Sequence, residues 1–162
     1  MIVGVTGHQK RDGVNWNWVK ESLSSCLKKY PVKGAFTSLA EGTDQIFAEA
    51  AMALSISVSA VIPLDDYESF FSPSGLAVYR RLILKSTTVC LHSNQRPEQA
   101  FMDAGRYVVD HSDILFAVWD GHHAEGLGGT GDIVIYAQSL GKNILHFNPC
   151  NESIALMEDP HA

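Results

Sequence analysis

The chain has 162 residues, 46% apolar and 19% charged, with a formal net charge of −6. That is the length of one domain with an ordinary globular composition, large enough to bury a core. The acidic balance counts against a broad nucleic-acid surface, and no apolar run approaches the length of a membrane span.

In chain order the elements alternate. Ile2 to Thr6 reads as a first strand, followed at once by Gly7-His8 and a loop through Lys10, Arg11 and Gly13. Val14 to Tyr30 carries helical spacing, with Val14, Trp18, Leu23, Cys26 and Leu27 on one face, and Pro31 ends it. Gly34 to Ser38 is a second strand. The loop Leu39-Ala40-Glu41-Gly42-Thr43-Asp44 then leads into a helix bearing Ile46, Phe47, Ala50, Ala51 and Leu54, with Thr43 or Asp44 as its expected cap. Ser57 to Ile62 is a third strand, closed by Pro63. The stretch from Leu64 to Ser74 has no clear period. Gly75 to Lys85 reads as a helix and Thr87 to Leu91 as a fourth strand, with Cys90 expected to be buried filler. Pro97 suits a first helical turn before the helix Glu98 to His111. Ile114 to Val118 is a continuous apolar run, as in a strand covered on both faces. A loop with Gly121, Gly126, Gly128, Gly129 and Gly131 leads into a helix from about Asp132 to Leu140, ended by Gly141. Asn143 to Phe147 is a sixth strand. Residues 1–150 form one domain on this reading; 151–162 form a polar tail with at most a short helix over Ser153 to Met157.

The β-α-β order predicts an α/β fold with a mostly parallel sheet of about six strands and helices on both faces. In such a sheet every β-to-α loop opens on one edge, with the first strand central. Three loops would therefore meet in one crevice: Gly7-His8, Glu41-Gly42-Thr43-Asp44, and Asp120 through Asp132. Glycines before a helix N-terminus bring amide donors close to an anion. The spacing matches neither GxGxxG nor GxxxxGK[ST].

The cysteines Cys26, Cys90 and Cys150 are odd in number and form no CxxC pair. With no leader segment evident, reduced thiols and a cytoplasmic location are expected. His122-His123 lacks the spacing of a metal site, so neither a metal nor a cofactor is expected.

Several motifs in this order resemble the SLOG superfamily: Val5-Thr6-Gly7-His8, Leu39 to Asp44, Val61-Ile62-Pro63-Leu64 with Tyr67-Glu68, Ala104 to Asp110, Ser112-Asp113, Ala117 to Gly121 and Gly128-Gly129-Thr130-Gly131-Asp132. These are Rossmann-like three-layer domains that include the Lonely-guy phosphoribohydrolases, the DNA-processing Smf proteins and the YpsA-like proteins. The resemblance spans Val3 to about Phe147 and implies a nucleotide or nucleotide-derived ligand; similar domains in bacterial defence proteins sense ADP-ribose-type signals. One departure bears on activity. The Lonely-guy enzymes carry PGGxGTxxE, whose acid serves base–ribose hydrolysis, whereas here that position is Ile133. Asp132 lies one residue early, about 100° around a helix.

The leading expectation is a binding module. Amides from Gly128 to Gly131 and the Thr130 hydroxyl hold a phosphate or ribose, Gly7 allows close approach, and His8 with Lys10 or Arg11 donates to a second phosphate. Glu41 or Asp44 accepts from ribose hydroxyls. Arg106 is the candidate buried cation, with Asp110 or Asp113 as its structural partner, and Tyr67 or Trp119 can stack on a base. Gly42 and Asp120 complete the expected ligand-binding set, with Asp132 beside them. The alternative is an N-glycosidase using Glu41, Asp120 or Asp132 as its acid; a third reading is an oligomerisation domain with a vestigial crevice. The expected partner is a small nucleotide or derivative, with no membrane and no nucleic acid, in a homo-oligomer.

Overall fold

In a computed structural model, residues 1–9, 11–123, 127 and 129–157 are described. The elements are β1 (Ile2–Gly7), α1 (Trp16–Lys29), β2 (Gly34–Thr37), α2 (Thr43–Ala53), β3 (Ser57–Ile62), a 3₁₀ turn (Tyr67–Phe70), α3 (Pro73–Ile83), β4 (Thr87–Cys90), α4 (Pro97–Asp110), β5 (Ile114–Val118), α5 (Thr130–Ser139), β6 (Asn143–Asn148) and β7 (Ser153–Met157). They build one sheet in the order β4-β3-β2-β1-β5-β6-β7. The first six strands run parallel, and β1 pairs with both β2 and β5. The chain winds outward from β1 to β4, then returns to the other side of β1. The switch point of this Rossmann-like α/β fold is therefore the gap between β1 and β5, where such sheets place ligands.

The apolar run of β5 is explained by its two covered faces. Phe116 and Val118 pack with Val19, Leu23 and Phe47 from α1 and α2, while Leu115 and Ala117 pack with Val108, Ile133 and Val134 from α4 and α5. Each fully buried large side chain such as Phe116 contributes roughly 1.5–3 kcal/mol relative to exposure.

Local chemistry sets the helix starts. Asn15 caps α1 by accepting from the Trp18 amide at 3.1 Å, so the helix begins two residues after the expected Val14. Ser72 caps α3 and accepts from Gly75 N at 3.2 Å, with Pro73 in the first turn. Two expectations about this region are corrected. Neither Thr43 nor Asp44 caps α2: the cap residue is Gly42, in the left-handed region at φ 84°. Cys90 is exposed because β4 is an edge strand.

A third correction concerns the tail. Ser153–Met157 is not a helix but a seventh strand, antiparallel to β6, with Ile154 opposite Phe147 and Leu156 opposite Leu145. The sheet thus has seven strands rather than about six. Among the described residues no helix is long and apolar enough to cross a membrane.

Candidate functional site

The carboxyl end of β1 is knitted to both of its neighbours. The His8 amide donates to Val118 O at 3.0 Å, which ties the first loop to β5. The Thr43 amide and hydroxyl both donate to His8 O, at 3.2 and 2.9 Å, which ties it to α2. Gly7 makes this closeness feasible, because a Cβ there would lie 2.5 Å from the Thr43 side chain. On the side where a Cβ would sit, the close approach that Gly7 allows is to Thr43, and Gly7 also lines the cavity described below.

Beside it His8, Arg11 and Asp120 form a knot. The Asp120 amide donates to His8 Nε2 at 3.0 Å, so the neutral ring carries its proton on Nδ1. Asp120 also accepts from Arg11 at 3.2 Å and from the His122 amide at 3.0 Å. Burial pushes the His8 imidazole below its ordinary pKa, Asp120 opposes that, and Arg11 adds to it. Burial works to raise the Asp120 carboxyl, but the His122 amide and ring together with His8 outweigh it and hold the group low.

Asp44 serves the second loop in an unexpected way. Its carboxylate accepts from the Thr37 hydroxyl and the Ser38 amide, both at 3.0 Å, and so fastens the start of α2 to the end of β2. Burial pushes this carboxyl up to about 6, against the pull of those donors and of the Ala40 amide. Glu41 reaches the other way. It accepts from the Ser72 amide at 2.5 Å and from the Ser72 hydroxyl at 2.9 Å, so it pins the strap between β3 and α3.

A cavity of about 460 Å³ opens between these loops, the strap, α4 and the start of α5. Of the residues expected from sequence, Gly7, His8, Glu41, Asp44, Gly129 and Thr130 line it. Gly129 is the cap position of α5, and among the described residues no side chain caps that helix. Arg11 and Asp120 stand behind His8 rather than on the wall. Gly42 lines a shallower neighbouring cavity of about 290 Å³ that shares Glu41. Asp132 lies half-buried in the first turn of α5, its amide bonded to Gly129 O at 3.1 Å. Gly128 and Lys10 lie outside the described residues.

Arg106 is not brought to the cavity. It is exposed on α4, with its guanidinium 5.1 Å from the Tyr136 ring centroid, and Asp110 instead accepts from the Tyr136 hydroxyl at 2.8 Å. The helix turns its small residues, Ala104 and Gly105, to the cavity, which leaves Arg106 pointing to solvent. Asp113, its other proposed partner, accepts from the Ile2 amide at 2.6 Å. Trp119 is also off the cavity wall; its indole donates to His122 O at 2.7 Å.

Of the aromatic wall the sequence pointed to Tyr67 and not to its three phenylalanines. Phe70, Phe71 and Phe101 line the cavity together with Tyr67. A 3₁₀ turn brings residues i and i+3 into line, so Tyr67 and Phe70 share a side. The turn is only four residues long, too short to show a period in the sequence. Among the described residues no group of three or more His, Cys, Asp or Glu side chains gathers as a metal site.

No family model and no curated protein matches the chain. Solved structures do. DNA processing protein A from Helicobacter pylori, described for its single-stranded DNA binding mode, superposes with a TM-score of 0.68 at 18% identity, covering 94% of this chain and 68% of that one. DNA processing protein A from Streptococcus pneumoniae gives 0.61 at 16% identity, with 89% of this chain on 49% of that one, so the chain spans about half of it. The Moco carrier protein from Chlamydomonas reinhardtii gives 0.54 at 18% identity, over 90% and 74% of the two chains. At such identities the likeness shows the fold alone: the chain has a Rossmann-like α/β fold.

Proposed function

We propose that this chain is a SLOG-type module that binds a nucleotide or nucleotide-derived molecule in the cavity at the carboxyl edge of β1 and β5. One observation carries the reading: the cavity joins two chemistries. The N-terminus of α5 at Gly129 and Thr130 offers amide donors and a favourable dipole for a phosphate. Tyr67, Phe70, Phe71 and Phe101 offer an apolar aromatic wall for a base. A volume of about 460 Å³ is of the size that holds a small ligand.

Binding is favoured over base–ribose cleavage because two of the candidate acids are engaged in structure. Glu41 is held by Ser72, and Asp120 by Arg11, His8 and His122. The likeness to a protein described as binding single-stranded DNA weakens the charge-based expectation against nucleic acid, so a strand of nucleotides joins the candidate guests.

The decisive experiment is mass spectrometry of small molecules released when the purified protein is denatured. It is paired with melting curves in AMP, NAD, ADP-ribose and a short single-stranded oligonucleotide. A released nucleotide, or a raised melting point without free base, is the expected result. Release of free base would move the assignment to the hydrolase, and no response to any of these would end the nucleotide reading.

A further inference from the structure

The four rings of the aromatic wall are not equivalent. Tyr67 is buried among three other rings, and its hydroxyl donates to Ser38 O at 3.0 Å. Phe71 lies against Tyr67 and Tyr79, with centroids 5.0 and 4.7 Å away. Both are committed to the core. Among the described residues Phe70 has a single ring contact, edge-to-face with Phe101 at 5.1 Å and 87°, and it is 47% exposed while lining the cavity.

We propose that Phe70, braced by Phe101, is the stacking platform for the flat heterocyclic base of the guest; this deepens the nucleotide reading above and rests on it. The strap that carries Phe70 is fixed at both flanks. Glu41 holds Ser72, and Arg80 makes a two-pronged pair with Glu68 at 2.9 and 3.1 Å. The platform is therefore presented at a set position, with little ordering left to do on binding. Strand order supplies the span. The strap follows β3 and the α5 loop follows β5, on either side of β1. Phe70 and the α5 start at Gly129 and Thr130 line the same cavity, so one guest can meet the platform with its base and the helix N-terminus with its phosphate. An aromatic face accepts any base, so the platform selects for a flat ring rather than for one nucleobase.

The test is calorimetric titration of the full chain, and of its Phe70→Ala, Phe70→Leu and Phe70→Trp variants, with adenosine 5′-monophosphate and with ribose 5-phosphate. Phe70→Leu keeps an apolar contact with Phe101 and guards against loss of the fold. The Ala and Leu variants should bind the nucleotide about 10- to 100-fold more weakly while ribose 5-phosphate changes by no more than about two-fold, and Trp should restore the nucleotide. Unchanged nucleotide affinity in Phe70→Ala, or an equal loss of both probes, overturns the platform and leaves the nucleotide reading standing. Failure of both probes to bind the unaltered chain overturns that reading and the platform with it.

Discussion

Asp44 is a buried carboxylate that does structural work at an electrostatic cost. Its pKa is raised from 3.8 to about 6 by burial. The native state therefore holds the proton more tightly than the unfolded chain. The associated stability is complete below pH 4 and is lost as the pH rises through about 6, a difference of roughly 3 kcal/mol by neutrality. Asp44→Asn keeps an acceptor for Thr37 and Ser38 but cannot ionise. In urea unfolding, the variant should gain on the wild type by up to about 3 kcal/mol between pH 4 and pH 7; a pH-independent difference would show that Asp44 does not titrate this way. Gly7 permits an equally specific expectation. Its Cβ-free backbone accepts a Thr43 side chain whose hydroxyl is already bonded to His8 O. Gly7→Ala forces that side chain or α2 to move and should cost roughly 1–3 kcal/mol in urea unfolding.

The strap and the α4–α5 pair show how elements share the cavity. Glu41 holds the strap through two bonds to Ser72, the cap of α3. Glu41→Ala should speed amide hydrogen exchange at Ser72 and nearby strap residues by about ten-fold or more, given that a hydrogen bond to a charged group contributes roughly 1.5–3 kcal/mol. Exchange unchanged there would mean the strap is held by its aromatic packing instead. On the other wall, a Cβ at Gly105 would run into the Ile133 side chain, its Cδ1 and Cγ1 first. Close approach of α4 and α5 thus depends on a glycine facing an isoleucine. Gly105→Ala alone should destabilise by about 1–3 kcal/mol, and Ile133→Val, which removes Cδ1, should recover part of the loss. A double-mutant cycle with no coupling would sink this account.

For the whole molecule, the topology puts a cavity at the carboxyl edge of the sheet, beside its central strand, so a guest should stabilise the fold as a unit. At a ligand concentration of 100 times Kd the gain is about 2.7 kcal/mol, which for a domain of this size raises Tm by roughly 5–10 °C. Melting curves in AMP should show a single shifted transition; a split transition would mean that only the loops around the cavity respond. The seventh strand belongs to this scale too. It extends the sheet beyond β6 and turns Ile154 and Leu156 to solvent, 42% and 59% exposed.

Periodicity and punctuation were enough to fix the alternating elements, because each rests on contacts within a few residues: Pro97 opening α4, Gly141 at φ 65° closing α5, the unbroken apolar run of β5. The parallel sheet then followed from their β-α-β order. The meeting of Gly7, His8, Glu41, Asp44, Gly129 and Thr130 on one cavity also followed from sequence, since parallel strands bring every β-to-α loop to the same edge. What each side chain does there required the folded molecule. Asp44 and Glu41 look alike in a loop motif, yet one fastens α2 to β2 and the other pins a strap thirty residues on. Arg106 faces solvent because of how α4 is rotated against its neighbours, and Phe70 reaches the cavity through a 3₁₀ turn of four residues, too short to show a period in the sequence. β7 forms only because β6 offers it a ladder. Such placements depend on long-range packing, and no local pattern encodes them.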